Sequence, residues 1–175
     1  MHRLVWSTLF VLAACESQDD RPLELGYLTQ AIFAPSCGTT QCHSTFRQAG
    51  NGVALVLDNP EGARKSLVDT GLLTFDSGQY DPADANNADL IVWITQIDPM
   101  GAGIGRMPFD APLPNKDVYL IREWIENEAP GAQCDPELNG GMSCNDKAVV
   151  RCTADWNFGE RVMLCNGGCV QGRCI

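Results

Sequence analysis

The distribution of cysteine constrains this chain most. Nine cysteines are present, divided one, two and six: Cys15 alone, Cys37 with Cys42, and Cys134, Cys144, Cys152, Cys165, Cys169 and Cys174 near the C-terminus. A segment of ~40 residues with low apolar content builds too small a core to stand unaided and usually needs staples. Three disulfides at ~2–4 kcal/mol each would supply the stability of a small domain. Six cysteines can pair in fifteen ways, and the sequence selects none of them. Within residues 132–175, "KAVVRC" and "RVMLC" read as two short strands, "TADWNFGE" as the turn between them, and "CNGGCVQGRC" as glycine-rich loop. The segment reads as a structural cap or spacer, with an exposed Trp156 as the contact residue should it bind a ligand.

The odd cysteine is explained by the N-terminus. In "MHRLVWSTLFVLAAC", Arg3 supplies a positive start, Leu4 to Leu12 an apolar stretch, and Ala13-Ala14 the small residues that a signal peptidase accepts. The apolar run is well short of the ~20 residues that span a bilayer, so residues 1–14 read as an export signal. Leu12-Ala13-Ala14-Cys15 resembles the bacterial lipobox, which implies cleavage before Cys15, acylation of that cysteine and anchorage to a membrane. Residues 15–22 then form a short polar tether. The anchor would place the chain on the outer side of the cytoplasmic membrane or at the outer membrane, and Glu16, where a retention signal would have Asp, points to the second. Export places the chain where disulfides form and persist.

Between tether and tail, residues 23–131 carry a different pattern. Leu25, Leu28, Ile32 and Phe33 recur at helical spacing, and Pro35 is expected to end that helix. The stretch "PSCGTTQCHST" follows, then the apolar "GVALVL", and then "NPEGARKSLVD" as a helix-like turn with Pro60 suited to a first-turn position. Residues 71–87 read as a polar surface loop. "ADLIVWITQI" reads as a helix capped by Asn86 or Asn87, and "DPMGAGIGRMP" as a flexible loop ending in a stiff Met-Pro step. Asn115 is expected to cap a last helix, "KDVYLIREWIENE". There Val118, Ile121 and Ile125 share a face, with Leu120 and Trp124 beside them. Pro130 and Gly131 close the segment.

The placement of Phe33, "CGTTQCH", "GRMP" and "LPNKDVYLIREWIENEAP" resembles class I cytochrome c, and more closely the domain found in exported proteins of planctomycetes and myxobacteria. The tail similarly resembles six-cysteine modules appended to surface lipoproteins of myxobacteria. The resemblance implies a mainly α chain: a cytochrome c-like helical domain over 23–131, its first and last helices packed together, followed by a small disulfide-rich β module over 132–175. It implies haem c bound covalently by Cys37 and Cys42, with His43 as proximal iron ligand and Met107 as distal ligand. The spacer departs from the common pattern, being four residues where two are usual. Gly38, Thr39 and Thr40 are turn-compatible and can carry the extra length.

The residues argue in the same direction. His43 is the one histidine left after signal cleavage, so the other strong axial candidate is a thioether, and Met/His ligation raises a haem potential. Met107 is preferred to Met100 because Pro108 stiffens the adjoining backbone. Gly101, Gly103 and Gly105 let the chain approach a flat ligand. Met100, Met142 and Met163 are expected to be packing residues, and Arg106 either a solvated residue or a partner for a haem propionate. The acids Asp76, Asp81, Asp84 and Asp89 match no calcium loop and read as a solvated face. Zinc-finger spacing, a Ser-His-Asp set and a phosphate-cradling glycine loop are not found.

The formal net charge is -10; removing residues 1–14 takes away Arg3 and no acid, which leaves -11. This excess of acid argues against nucleic acid as a partner and suits a redox protein with a basic docking face. The expected function is one-electron transfer by an exported, lipid-anchored cytochrome that is not an enzyme. Two alternatives stand beside it. One is a haemless adhesion or scaffold lipoprotein with a Cys37–Cys42 disulfide, and the other a haem protein whose labile sixth site binds a small ligand.

Overall fold

The structure is a computed structural model that describes residues 19–73, 85, 88–101, 103, 105–145 and 147–175. The signal segment, Cys15, and Asp76, Asp81 and Asp84 lie outside the described residues, as does most of the 71–87 loop.

The first helical stretch is longer and less regular than its sequence suggests. It comprises α1 (Leu25–Leu28), a π-helical turn (Thr29–Phe33) and α2 (Ala34–Ser36), so Pro35 sits inside the last turn and does not end the helix before it. Its apolar positions are buried almost completely, with Leu25, Leu28, Ile32 and Phe33 at 2% exposure or less. Then come α3 (Thr45–Asn51), α4 (Pro60–Asp69), α5 (Asp89–Thr95) and α6 (Asn115–Glu126). α3 was not expected from the sequence. Ser44 caps it by accepting from the Arg47 N–H at 3.2 Å, and Gly52 ends it at φ +67°, where glycine meets no steric penalty. At α4, Asn59 accepts from the Gly62 N–H at 2.7 Å and Pro60 occupies the first turn. The caps expected for α5 and α6 are not used. Ala88 and Pro114 hold those positions without side-chain bonds, and Asn115 is already the first helical residue.

One apolar cluster joins these helices, with Trp124, Ile121 and Ile125 of α6 fully buried in it. α1 and the π turn pack chiefly on α4, and α6 on α5. These two neighbouring pairs share one core, which takes in residues of both the first helical stretch and the last helix. Leu25 and the turn after α6 meet through the backbone, where the Leu25 N–H donates to the Pro130 carbonyl at 3.3 Å. The chain leading into α1 is pinned as well. Arg21 pairs with Asp19 and, at 2.6 Å, with Asp117 in the first turn of α6, and also donates to the Lys116 carbonyl.

The cluster extends through Ala129 and Ala132, and two smaller buried clusters combine strand residues with Cys134 and Cys165. β1 (Met142–Asn145), β2 (Ala148–Cys152) and β3 (Phe158–Leu164) form an antiparallel sheet in that order, and β4 (Cys169–Val170) pairs with β5 (Arg173–Cys174). β2 and β3 were legible; β1, β4 and β5 were not. Alternation along β2 sends Val149 to a cluster with Cys144, Cys165 and Cys169, and Val150 to one with Cys134 and Cys152. Each cluster contains a disulfide. The pairing is Cys134–Cys152, Cys144–Cys169 and Cys165–Cys174, and such bonds persist in the oxidising compartments of exported proteins.

The expected mainly α class is corrected by these elements. Helix makes up 39% of the chain and strand 14%, the strand lying in two small antiparallel sheets, so the protein is mixed α and β. Two features account for the difference. The tail forms more strand than its sequence suggested, and long irregular stretches separate the helices. Trp156 is also corrected: it is half-buried in the β2–β3 turn at φ +61°, and its carbonyl accepts from the Cys134 N–H.

Candidate functional site

The cysteine–histidine segment forms a closed loop. The Cys37 and Gly38 N–H groups both donate to the Phe33 carbonyl at 2.7 Å, which launches the loop from the end of the first helical stretch. The Cys42 N–H donates to the Thr39 carbonyl and the His43 N–H to the Cys37 carbonyl, each at 2.9 Å. The second of these bonds brings His43 back beside Cys37 despite the four-residue spacer. Gly38 permits this closure, since a Cβ there would stand 2.7 Å from the backbone of Leu57 and Asp58. The Leu57 N–H donates to the His43 carbonyl at 2.7 Å and holds the loop to the following chain.

Cys37 and Cys42 are free thiols, the first buried and the second exposed. Burial, with a smaller contribution from the neighbouring Cys42, pushes the Cys37 thiol up to about 11, which keeps it protonated at neutral pH. Burial also lowers the His43 pKa below its ordinary value, partly countered by the Leu55 backbone. The imidazole is therefore neutral, the form that ligates a metal. Its Nδ1 is buried without a hydrogen-bond partner.

Met107 reaches this loop from far along the chain. Its N–H donates to the Trp93 carbonyl at 2.9 Å, which ties the Met-Pro segment to α5. Two clefts adjoin the group, and Cys37, His43, Val53 and Met107 line both. One, of about 540 Å³, opens past Cys42, Arg47 and the segment from Pro108 to Pro114. The other, of about 370 Å³, is walled by Phe33, Leu55, Leu57, Leu90, Trp93 and Ile94. Volumes of ~300–1,000 Å³ with apolar walls and a few polar groups are usual for cofactor sites. An imidazole, a thioether and two thiols are donor types that a c-type haem uses, and all four residues line the larger cleft. Among the described residues, no group of three or more His, Cys, Asp and Glu side chains is arranged to hold a bare metal ion.

Each expected haem-site residue thus borders this space: Cys37, His43 and Met107 line both clefts, and Cys42 lines one. Gly101, Gly103 and Gly105, before Met107, have φ of +65°, +65° and +84°, a backbone conformation that glycine adopts without strain. Met142 packs against the strand cluster, Met163 is exposed at 54%, and the Met100 side chain lies outside the described set. Arg106 is half-buried with an unpartnered Nε, so it is not simply solvated. Arg47 and Trp93 are the site residues that the sequence did not signal, because a helix and a backbone contact absent from any motif place them there. No family model matches the chain, and neither a curated protein nor a solved structure does.

Proposed function

We propose that the chain is an exported, lipid-anchored, monohaem c-type cytochrome that carries single electrons and is not an enzyme. Cys37 and Cys42 would hold haem c through thioethers, and His43 and Met107 would ligate its iron. The observation that supports this most is the meeting of Cys37, His43 and Met107 along the same two clefts. Likeness of "CGTTQCH" and "GRMP" to class I cytochrome c motifs adds to it. Haem bound with Met/His ligation supplies a one-electron couple raised toward the cytochrome c range.

The chain's own groups have defined tasks in this reading. His43 presents a neutral imidazole with its lone pair available. Met107 offers a soft thioether on a backbone tied to α5. The exposed Cys42 is accessible to attachment machinery, and Cys37 is buried. Phe33, Leu55, Leu57, Leu90 and Ile94 keep water from one side of the space. Acylation at Cys15 would hold the protein at a membrane, and a mature charge of -11 suits a basic redox partner.

A pyridine haemochrome spectrum and intact mass, taken on protein exported with a haem-attachment system, test the reading. A gain of one haem with a c-type α band is the expected result. No α band, with a mass two protons short at Cys37 and Cys42, would replace it with the haemless scaffold reading. In haem-loaded protein, loss of the Met–iron charge-transfer band in Met107→Ala would assign the sixth ligand. Absence of that band from the unsubstituted protein would favour the labile ligand-binding site.

A further inference from the structure

β3 carries apolar surface that the clefts do not use. Val162, Met163 and Leu164 follow one another along it, exposed at 45%, 54% and 65%. A run of successive apolar side chains left in water on one strand calls for a function. The Cys165–Cys174 disulfide gathers further residues at the end of this run. It joins the residue after Leu164 to the residue before Ile175, which is exposed as well, and Met163 Sδ lies 3.4 Å from Cys174 Sγ. Lys147 adjoins the same disulfide, since its carbonyl accepts from the Cys165 N–H at 2.8 Å, and Arg173 directly precedes Cys174. Both cations are exposed, and neither makes an ion pair among the described residues.

Charge in this region differs in sign from that of the chain. Residues 142–175 hold Lys147, Arg151, Arg161 and Arg173 against Asp146, Asp155 and Glu160, four less three or +1, in a chain of -10. Asp155 and Glu160 lie toward the β2–β3 turn, away from Leu164, and Asp146 lies outside the described residues. Aliphatic side chains that enter the acyl boundary, flanked by cations that meet phosphate, are the chemistry of a peripheral contact with an anionic bilayer. An added strand suits β3 less well. The β2–β3 register is broken twice and Glu160 and Arg161 stand in mid-strand, features that blunt an edge against pairing. We propose that the Cys165–Cys174 end of the tail is a docking face for an anionic phospholipid surface. The inference takes from the lipid-anchored reading only the nearness of a bilayer, and nothing from the haem. Salt screens charges beyond ~8–10 Å, so acids farther off repel such a surface little.

The test is sedimentation of the full mature chain carrying Cys15→Ser, which cannot be acylated, with vesicles of phosphatidylcholine alone or mixed with phosphatidylglycerol. The expected result is binding about tenfold tighter to the mixed vesicles, weakening as salt is raised. Lys147→Gln with Arg173→Gln should remove most of that preference, and Met163→Ser with Leu164→Ser should weaken binding to the mixed vesicles about tenfold. Equal binding to both vesicles, or binding to neither, would overturn the inference. Binding that both pairs of substitutions leave unchanged would overturn it too. All four positions are exposed, and circular dichroism with a thiol count checks that each variant folds and forms its disulfides. If a variant does not, the lipid preference and salt dependence of the chain without those substitutions decide. Anchorage is judged apart, by the intact mass of the exported wild type. An unacylated Cys15 there would remove the anchored reading, whereas the vesicle result alone decides the docking face.

Discussion

A carboxylate at position 58 organises two turns at once. Asp58 accepts from the Thr45 N–H at 2.8 Å and the Thr45 Oγ1 at 2.9 Å, and from the Asn59 side chain at 2.7 Å. Burial alone would raise its pKa, but these bonds more than offset that, and the carboxyl is held below its ordinary value of 3.8. A lowered folded pKa means that the contribution is present above the unfolded value and is lost as pH falls through the folded one. Asp58→Ala is expected to cost about 1–2 kcal/mol at pH 7. The gap between variant and wild type should narrow as pH falls below 3.8. Urea denaturation at both pH values checks this, and an unchanged gap would show that the charge is not what matters. Gly38 gives a second prediction of the same scale. Gly38→Ala forces a Cβ against the Leu57 and Asp58 backbone, and a cost of about 1–3 kcal/mol in the same assay is expected. The motif residues Cys37, Cys42, His43 and Met107 were legible because their chemistry is specific. Arg47 was not, since an arginine in a short polar stretch looks the same whether it faces solvent or a cleft.

Elements differed in how plainly they announced themselves. α6 was readable from its apolar stripe, and α4 from a proline suited to a first turn. α6 buries Leu120, Ile121, Trp124 and Ile125 as its spacing required. α3 had no such stripe: none of its residues is buried, and it owes its position to Ser44, Gly52 and Asp58 at its ends. The π turn in Thr29–Phe33 left no mark in composition either, and Thr29 is buried there with its Oγ1 unpartnered. β1, β4 and β5 are two to four residues long and are held by disulfides and pairing, so periodicity had too few residues to act on. Trp124→Ala tests the readable class. Its ring is fully buried and its Nε1 donates to the Pro130 carbonyl at 3.1 Å, so a loss of about 3–5 kcal/mol in denaturant unfolding is expected.

At the scale of the whole molecule, separate buried clusters imply separate responses to stress. The helical cluster contains no disulfide, and each strand cluster is built around one. Mild reduction should therefore release amide protection over 142–174 while α4 and α6 remain protected, which hydrogen exchange with mass analysis would register. Replacing Cys134 and Cys152 by alanine, across a separation of 18 residues, should cost the strand region about 3 kcal/mol. Simultaneous loss of protection in both regions would mean that they unfold as one. The Arg21 bridge to α6 has a consequence for geometry outside the protein. For a chain acylated at Cys15, four steps along the backbone separate Cys15 from Asp19, at most about 14 Å when fully drawn out. Pro112 to Pro114, on the rim of the larger cleft, lead straight into the helix to which that span is moored. If the chain is anchored there, a mooring so short would keep the opening beside Met107 near the bilayer, within reach of partners seated in or on the same membrane.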